Sequence, residues 1–119
     1  MNHDMPRFAH HKLDAYEVAK LALVAGDAIV RRMPRGNAVL ADQLRRAQLS
    51  ALLNIAEAAS RTGADRLARF RCARGEAGEA AAALEAAQAL GLVAHDDVAP
   101  VLVLLGRLYA MLTRLSMPR

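Results

Sequence analysis

The sequence is poor in cysteine, in aromatic residues and in lysine. Its 119 residues include one cysteine, Cys72, no tryptophan, and two each of tyrosine and phenylalanine. A single cysteine excludes a disulfide within the chain and a zinc site built on several cysteines. With so few aromatic side chains, a β-sandwich core is not expected, because strands favour aromatic and β-branched residues.

Long apolar runs are also missing. No stretch approaches the roughly 18 consecutive apolar residues that indicate a transmembrane helix. The first residues, MNHDMPRFAHHKLD, lack the apolar core of a secretory signal. The sequence therefore predicts a soluble, cytoplasmic protein with no membrane partner.

Alanine is what the chain has in excess. Hydrophobic residues make up 55% of it although aromatic residues make up only 3%, and Ala80 to Ala83 form an unbroken run. Alanine has the highest helix propensity of all residues and allows helices to pack closely. Since a chain of this length holds one domain, we expect a single all-α domain.

Apolar residues recur at steps of three and four residues in four segments, as they do in amphipathic helices. Pro34 and Gly36 end the first segment, Gly63 separates the next two, and Gly91 ends the third. Asp65 is the expected N-cap of the third helix, and Asp96 or Asp97 of the fourth. The expected helices are 12–32, 38–61, 65–90 and 97–115.

Residues 1–11 show no such pattern, so they are expected to form a loose arm before a single domain at 12–117. Long helices joined by short connections are typical of an antiparallel, up-down-up-down four-helix bundle. The alternative of a helix-turn-helix motif around Gly63 is disfavoured, because the helices on both sides exceed twenty residues.

The second and third predicted helices each carry two apolar faces, where a helix in a monomeric bundle needs one. The second face of helix two consists of Leu49, Leu52, Leu53, Ala56 and Ala59. On helix three it is a stripe of small residues with one charge, Glu79; the small residues are Ala68, Cys72, Gly75, Ala82 and Ala86. We expect Cys72 to be buried there, and we expect the second faces to be covered by further copies of the chain.

A polar seam runs between the two apolar faces of helix two. It contains Gln43, Arg46, Ser50, Asn54, Glu57 and Arg61. The seam is open to three interpretations: a binding surface, a solvent-facing stripe, or an interhelix polar network that includes Glu79. The network is favoured, because a buried charge needs a partner, and Arg46 or another polar residue of helix two is the expected partner of Glu79.

Arginine supplies fourteen of the sixteen basic residues, and the net charge is +4. Arginines concentrate at two places that the bundle would set at opposite ends. Arg31, Arg32 and Arg35 lie at the first, and Arg66, Arg69, Arg71 and Arg74 lie at the second. These seven are candidate phosphate-binding residues of a nucleic-acid interface.

Local ion pairing is the alternative interpretation of the arginines. Pairs at i,i+4 spacing are available between Asp27 and Arg31, Asp42 and Arg46, Glu57 and Arg61, and Asp65 and Arg69. Recognition of bases is disfavoured, because stacking needs exposed aromatic rings and the four rings lie mostly on apolar stripes.

No motif of an enzyme is present. The chain has no Gly-rich phosphate loop, no nucleophile elbow and no paired catalytic carboxylates. His10 and His11 lack the spacing of metal ligands with His3 or His95. We therefore expect no catalytic residue, no cofactor, no metal and no small-molecule substrate.

Two stretches of the sequence form recognisable motifs. The first is Gln43-Leu44-Arg45-Arg46-Ala47, then Ser50, Asn54-Ile55-Ala56-Glu57 and Arg61. The second, weaker stretch comprises Arg69, Phe70, Ala73, Gly75, Glu79 and Leu84. Both resemble the family of proteins encoded in intervening sequences of 23S ribosomal RNA genes. Leu13, Tyr16, Ala19 and Pro34 also agree, so that the resemblance covers residues 8–112. Ala58 stands where the family has glycine, and Glu76 where it has serine.

The resemblance implies a four-helix bundle that assembles as a ring-like homopentamer without established enzymatic activity. A structurally similar group serves the reverse transcriptase of diversity-generating retroelements. The favoured hypothesis is a non-enzymatic accessory or scaffold protein that binds RNA, DNA or a reverse transcriptase through arginine-rich rims. The alternative is a structural or protein-interaction oligomer whose arginines form internal salt bridges.

Overall fold

Four α-helices make up most of the computed structural model, which describes residues 7–118. No β-strand occurs in that range. The helices are α1, Asp14–Arg32; α2, Ala38–Ala59; α3, Gly63–Ala89; and α4, His95–Leu115. The all-α prediction is confirmed, and each helix lies within a few residues of its expected place.

Prolines and glycines set the turns between the helices. α1 ends one residue before Met33, whose backbone is extended as expected for a residue that precedes proline. Gly36 and Gly91 adopt positive φ values of 95° and 73°, which glycine accepts without a steric penalty. These two turns are the α1–α2 and α3–α4 connections.

The expected capping aspartates lie inside their helices instead. α3 begins at Gly63, and its N-cap is Thr62. Asp65 therefore lies in the first turn of α3. In α4 the N-cap is Ala94, and Asp96 and Asp97 lie in the first turn. There the carboxylates still stabilise the helix, because they face the positive end of its dipole.

The helices form a four-helix bundle in which α1 contacts α2, α2 contacts α3, α3 contacts α4, and α4 contacts α1. The largest completely buried side chains lie between them: Leu44, Ile55, Phe70, Leu84, Val98, Leu108 and Leu112. Buried alanines dominate the inner face of α3. Small side chains let α3 approach its neighbours closely, so few aromatic residues suffice for this core.

α4 is the most apolar helix. With a mean hydropathy of 1.5 it is long and apolar enough, by length and composition alone, to cross a membrane. In the bundle, its residues Val98, Val101, Leu105, Leu108 and Leu112 are buried. Core packing therefore accounts for these five positions, whereas Val103 of the same helix is 63% exposed.

The segment before α1 is partly ordered by aromatic contacts. Ala9–Lys12 form a short 3-10 helix that packs against α1 and α2. The rings of His10 and Tyr16 lie 4.3 Å apart. Of the expected loose arm, residues 1–6 lie outside the described range, and Ala9 to His11 belong to this 3-10 helix.

Candidate nucleic-acid interface

Arg46 joins α2 to α3 at the outer edge of the bundle. Its Nη2 donates to Oε1 of Glu79 at 2.8 Å and to Oε1 of Gln43 at 2.6 Å. Arg46 and Glu79 are 55% and 43% exposed. The predicted pair is confirmed, but both side chains are exposed in the single chain. There the pair is worth about 0.2–1 kcal/mol.

The remaining seam residues form separate clusters rather than one network. Asn54 Nδ2 donates to the Ser50 carbonyl at 3.0 Å and to its Oγ at 3.2 Å. Arg61 bridges Glu57 at 3.0 Å and Asp65 at 2.6 Å. The hydrogen bonds that Arg61 donates to Asp65 and then to Glu57 raise its pKa. These contacts are confined to the α2–α3 edge, and each is local in sequence.

Glu76 lies next to this edge and is poorly compensated. Its Oε2 is 3.9 Å from Nη1 of Arg46 and has no hydrogen-bond partner. Burial raises the pKa of Glu76, the neighbouring Glu79 raises it further, and Arg46 opposes both. This half-buried carboxylate stands where the resembling family has a serine.

The small-residue stripe of α3 faces outward in the single chain. Cys72 is exposed, so its expected burial is wrong for the chain alone. Ala68, Gly75 and Ala82 are exposed too. On α2, Leu49 and Leu53 are 47% and 54% exposed. We call these outward residues of α2 and α3 the α2–α3 face, and no other element in the described range covers it.

The arginines at the end of α1 are mostly neutralised. Arg31 pairs with Asp27 at 2.9 Å, as the i,i+4 spacing predicts, and Arg32 pairs with Asp97 at 3.1 Å. Arg35 is exposed in the turn that follows. The contact with Asp97 brings the acidic start of α4 to this end of the bundle, which weakens its positive field.

The candidate arginines of α3 divide into two kinds. Arg66 Nη1 donates to the Ala58 carbonyl at 3.1 Å, near the end of α2, and its guanidinium lies 5.0 Å from the centre of the Phe70 ring. Arg69 is 4.0 Å from Asp65. Both arginines thus have structural partners.

Arg71 and Arg74 belong to the other kind, and two further arginines resemble them. Arg71, Arg74, Arg107 and Arg114 have neither an ion pair nor a hydrogen bond through their side chains to another residue of 7–118. Arg71 and Arg74 are one helical turn apart on α3, and Arg107 and Arg114 two turns apart on α4. We call this set the α3–α4 arginines.

Acidic residues are missing from the segments that carry the α3–α4 arginines. The sequence has no aspartate or glutamate between Arg66 and Gly75, and none after Asp97. The reasoning from sequence missed Arg107 and Arg114, because it assigned basic ends from helix turns alone. The acid-free tail of the chain was the signal that could have found them.

Tyr109 lies next to one of these arginines, Arg74. The Arg74 guanidinium is 6.0 Å from the centre of its ring, and Tyr109 is 46% exposed. Phe8 is 59% exposed. The expectation that the aromatic rings lie mostly on apolar stripes is therefore wrong for these two, although Phe70 is completely buried.

A groove of about 800 Å³ opens beside the α2–α3 turn. Arg61, Arg66 and Arg114 line it together with Leu67 and Met117. Within 7–118 no three His, Cys, Asp or Glu side chains are grouped closely enough to hold a metal ion. Of the three arginines in the groove, Arg61 and Arg66 have partners within the fold, and the Arg114 guanidinium forms no ion pair or hydrogen bond within 7–118.

Comparison with known proteins agrees with the sequence motifs. A family model described as 23S rRNA-intervening sequence protein matches residues 11–114. A comparison with curated proteins found no match.

Proposed function

This chain belongs to the family of 23S rRNA-intervening sequence proteins, and we propose that it is a non-enzymatic, oligomeric bundle that binds nucleic acid. The α3–α4 arginines contact the phosphates. In an oligomer they repeat around the assembly, and the chain then acts as an accessory or scaffold for nucleic acid or for an enzyme that works on it.

The proposal is carried by one observation: four exposed or half-exposed arginines, which form no ion pair or side-chain hydrogen bond within 7–118, lie on two adjacent helices, in acid-free segments. An unpaired guanidinium keeps its full charge and its fork of donors for a phosphate. Arg31, Arg32 and Arg69, which have carboxylate partners, contribute less. The proposed interface therefore retains Arg71 and Arg74 of the seven candidates and adds Arg107 and Arg114. Arg35 also forms no ion pair within 7–118, but it lies apart from them in the α1–α2 turn.

The up-down-up-down course of the helices belongs to the proposal, and contacts between neighbours support it. On α2, Arg45 precedes Gln48, whereas their contacts on α1 come in the opposite order. Arg45 contacts Asp27, and Gln48 contacts Ala22. Such reversed order is typical of antiparallel helices. The same order holds for the contacts Arg46–Glu79 and Arg66–Ala58, and for Gln88–His95 and Arg74–Tyr109.

Salt-dependent binding tests the nucleic-acid function. Fluorescence anisotropy with labelled RNA and DNA of generic sequence is measured between about 50 and 200 mM salt. The affinity of the wild-type chain should fall steeply with salt, because each phosphate contact releases counterions. We expect a shallower plot of log affinity against log salt concentration for the triple variant Arg71→Gln, Arg107→Gln, Arg114→Gln. The steepness should decrease by roughly 0.7–0.9 for each phosphate that an arginine no longer neutralises.

A matched control removes three arginines that already have carboxylate partners. This control is the triple variant Arg31→Gln, Arg32→Gln, Arg45→Gln. It changes the net charge by the same amount and should keep most of the affinity for nucleic acid. Equal decreases in affinity in both triple variants would show that binding follows overall charge rather than the α3–α4 arginines. No binding by the wild-type chain at low salt would refute the function.

The second candidate function is a structural oligomer without nucleic-acid binding. It is favoured by the ion pairs of Arg31, Arg32, Arg46 and Arg61, which show that many arginines serve the fold. The same anisotropy series separates the two functions, because this candidate predicts no binding at any salt concentration.

A further inference from the structure

We infer that the interface of the α3–α4 arginines selects single-stranded over double-stranded nucleic acid, because Tyr109 provides a stacking surface for an unpaired base. This inference rests on the proposed function, since it names the class of nucleic acid that the same site takes.

Tyr109 is held in place by α3. The ring lies against that helix at Gly78, where a Cβ atom would stand 3.6 Å from Cε2 of the tyrosine. Gly78 has no side chain, so the ring packs directly on the helix. α3 thus supports Tyr109 from one side, while 46% of the residue stays exposed. A supported ring loses little conformational entropy when a base stacks on it.

One arginine of α3 lies over the ring of Tyr109. Arg74 lies over the ring, 6.0 Å from its centre, and Arg71 is on the preceding turn of α3. Arginine planes and aromatic rings both stack with bases, and the guanidinium also binds phosphate. Base stacking and phosphate binding are therefore available at one place, which suits a strand that presents both groups.

The position of Tyr109 on the bundle does not suit recognition of bases within a double-stranded nucleic acid. Bases in a duplex are stacked on one another, so their faces are closed to Tyr109. Reading a duplex through a groove requires side chains that reach base edges, whereas the Tyr109 ring packs against α3 at Gly78. A duplex can use the phosphate contacts alone, and it gains nothing from the tyrosine.

Binding to matched single strands and duplexes tests the inference. Anisotropy is measured with one labelled RNA alone and annealed to its complement, for the wild type, Tyr109→Leu and Tyr109→Phe. The wild type should bind the single strand more tightly. Tyr109→Leu should weaken single-strand binding by about 5- to 150-fold, the range for one stacked base, and leave duplex binding unchanged. Tyr109→Phe keeps the ring and should behave as wild type.

The outcomes separate this inference from the function on which it rests. Salt-dependent binding that is equal for single strand and duplex, or that Tyr109→Leu leaves unchanged, overturns the inference and keeps the function. Absence of binding to either probe overturns both. Circular dichroism melting shows whether Tyr109→Leu is folded, and Phe8→Leu, which removes the other exposed ring, serves as a control that should not alter single-strand binding.

Discussion

Glu76 is the least compensated charge of the α2–α3 edge. Its Oε2 is buried without a hydrogen bond, and Glu79 lies nearby. Burial and the like charge both disfavour the ionised form, so the pKa is raised above its ordinary value of 4.5. The folded chain therefore binds a proton at Glu76 more readily than the unfolded chain does.

This raised pKa predicts a pH dependence of stability. Glu76 contributes stability below its ordinary pKa, and that contribution is lost as the pH rises through the raised pKa of the folded state. Glu76→Gln should therefore raise the melting temperature at pH 7 and lose this advantage near pH 4. Glu85→Gln, an exposed position on the same helix, is the control. An advantage of Glu76→Gln that is the same at both pH values would contradict the assignment.

Glu79 reports whether the α2–α3 face is covered. In a chain kept monomeric, Glu79→Ala should lower the free energy of unfolding by no more than about 1 kcal/mol, because its pair with Arg46 is exposed. In the oligomer, the variant leaves Arg46 buried without its partner, and the expected decrease is about 3–5 kcal/mol. Denaturant unfolding of both forms measures the difference.

The comparison needs a monomeric background, which the pair Leu49→Glu and Leu53→Lys provides. If Glu79→Ala lowers the free energy of unfolding only slightly in both the monomer and the oligomer, Arg46 and Glu79 stay exposed to water. Copies of the chain then meet at another surface.

At the scale of the helices, α1 and α2 are held together by one buried polar contact. Gln48 is 3% exposed, and its Nε2 donates to the Ala22 carbonyl at 2.7 Å. The Gln48 amide occupies the space that a Cβ atom of Gly26 would fill. Gly26 is thus required by the close approach of α2.

Because the Gln48 amide fills the space beside Gly26, a methyl group added at Gly26 should destabilise the fold. Gly26→Ala should lower the free energy of unfolding by about 1–3 kcal/mol, because it displaces the Gln48 amide from its buried acceptor. Gly106→Ala is the matched control, since nothing lies near its Cβ position, and alanine should stabilise α4 by about 0.5–1 kcal/mol. If the melting temperatures of both variants shift in the same direction from that of the wild type, the role of Gly26 is refuted.

At the scale of the whole molecule, apolar side chains remain on the surface of the single chain. Leu49 and Leu53 of α2 are exposed, and so are small residues of α3, the helix packed against α2. Small side chains let a second backbone approach closely, and the leucines supply apolar area for it to bury. We therefore propose that copies of the chain meet at the α2–α3 face, with five copies as the resemblance implies.

Light scattering tests this assembly. The wild type should have a mass several times its chain mass of 12.8 kDa. Leu49→Glu with Leu53→Lys should yield monomers, because it places charges in the contact while forming a favourable i,i+4 pair within α2. Leu21→Glu with Val24→Lys makes the same change on α1 and should leave the mass unaltered. A wild-type monomer would refute the assembly.

The sequence by itself determined the elements and the family of this protein. Apolar periodicity, helix-favouring alanines and the breaks at Pro34 and Gly36 are local signals, so all four helices were predictable within a few residues. The motif from Gln43 to Arg61 identified the family in the same way. The contact between Arg46 and Glu79 was one of the pairings that the sequence predicted for Arg46, and the i,i+4 pair with Asp42 was another.

Only the tertiary structure decided which side chains are free. Arg32 is neutralised by Asp97, which is distant in sequence, and Asp42 does not pair with Arg46, because Glu79 takes that arginine. Cys72 and Tyr109 are exposed although their helical stripes fit a core equally well. The physical reason is that periodicity gives the faces of a helix, whereas the rotation of each helix in the bundle decides which face meets a neighbour and which meets water.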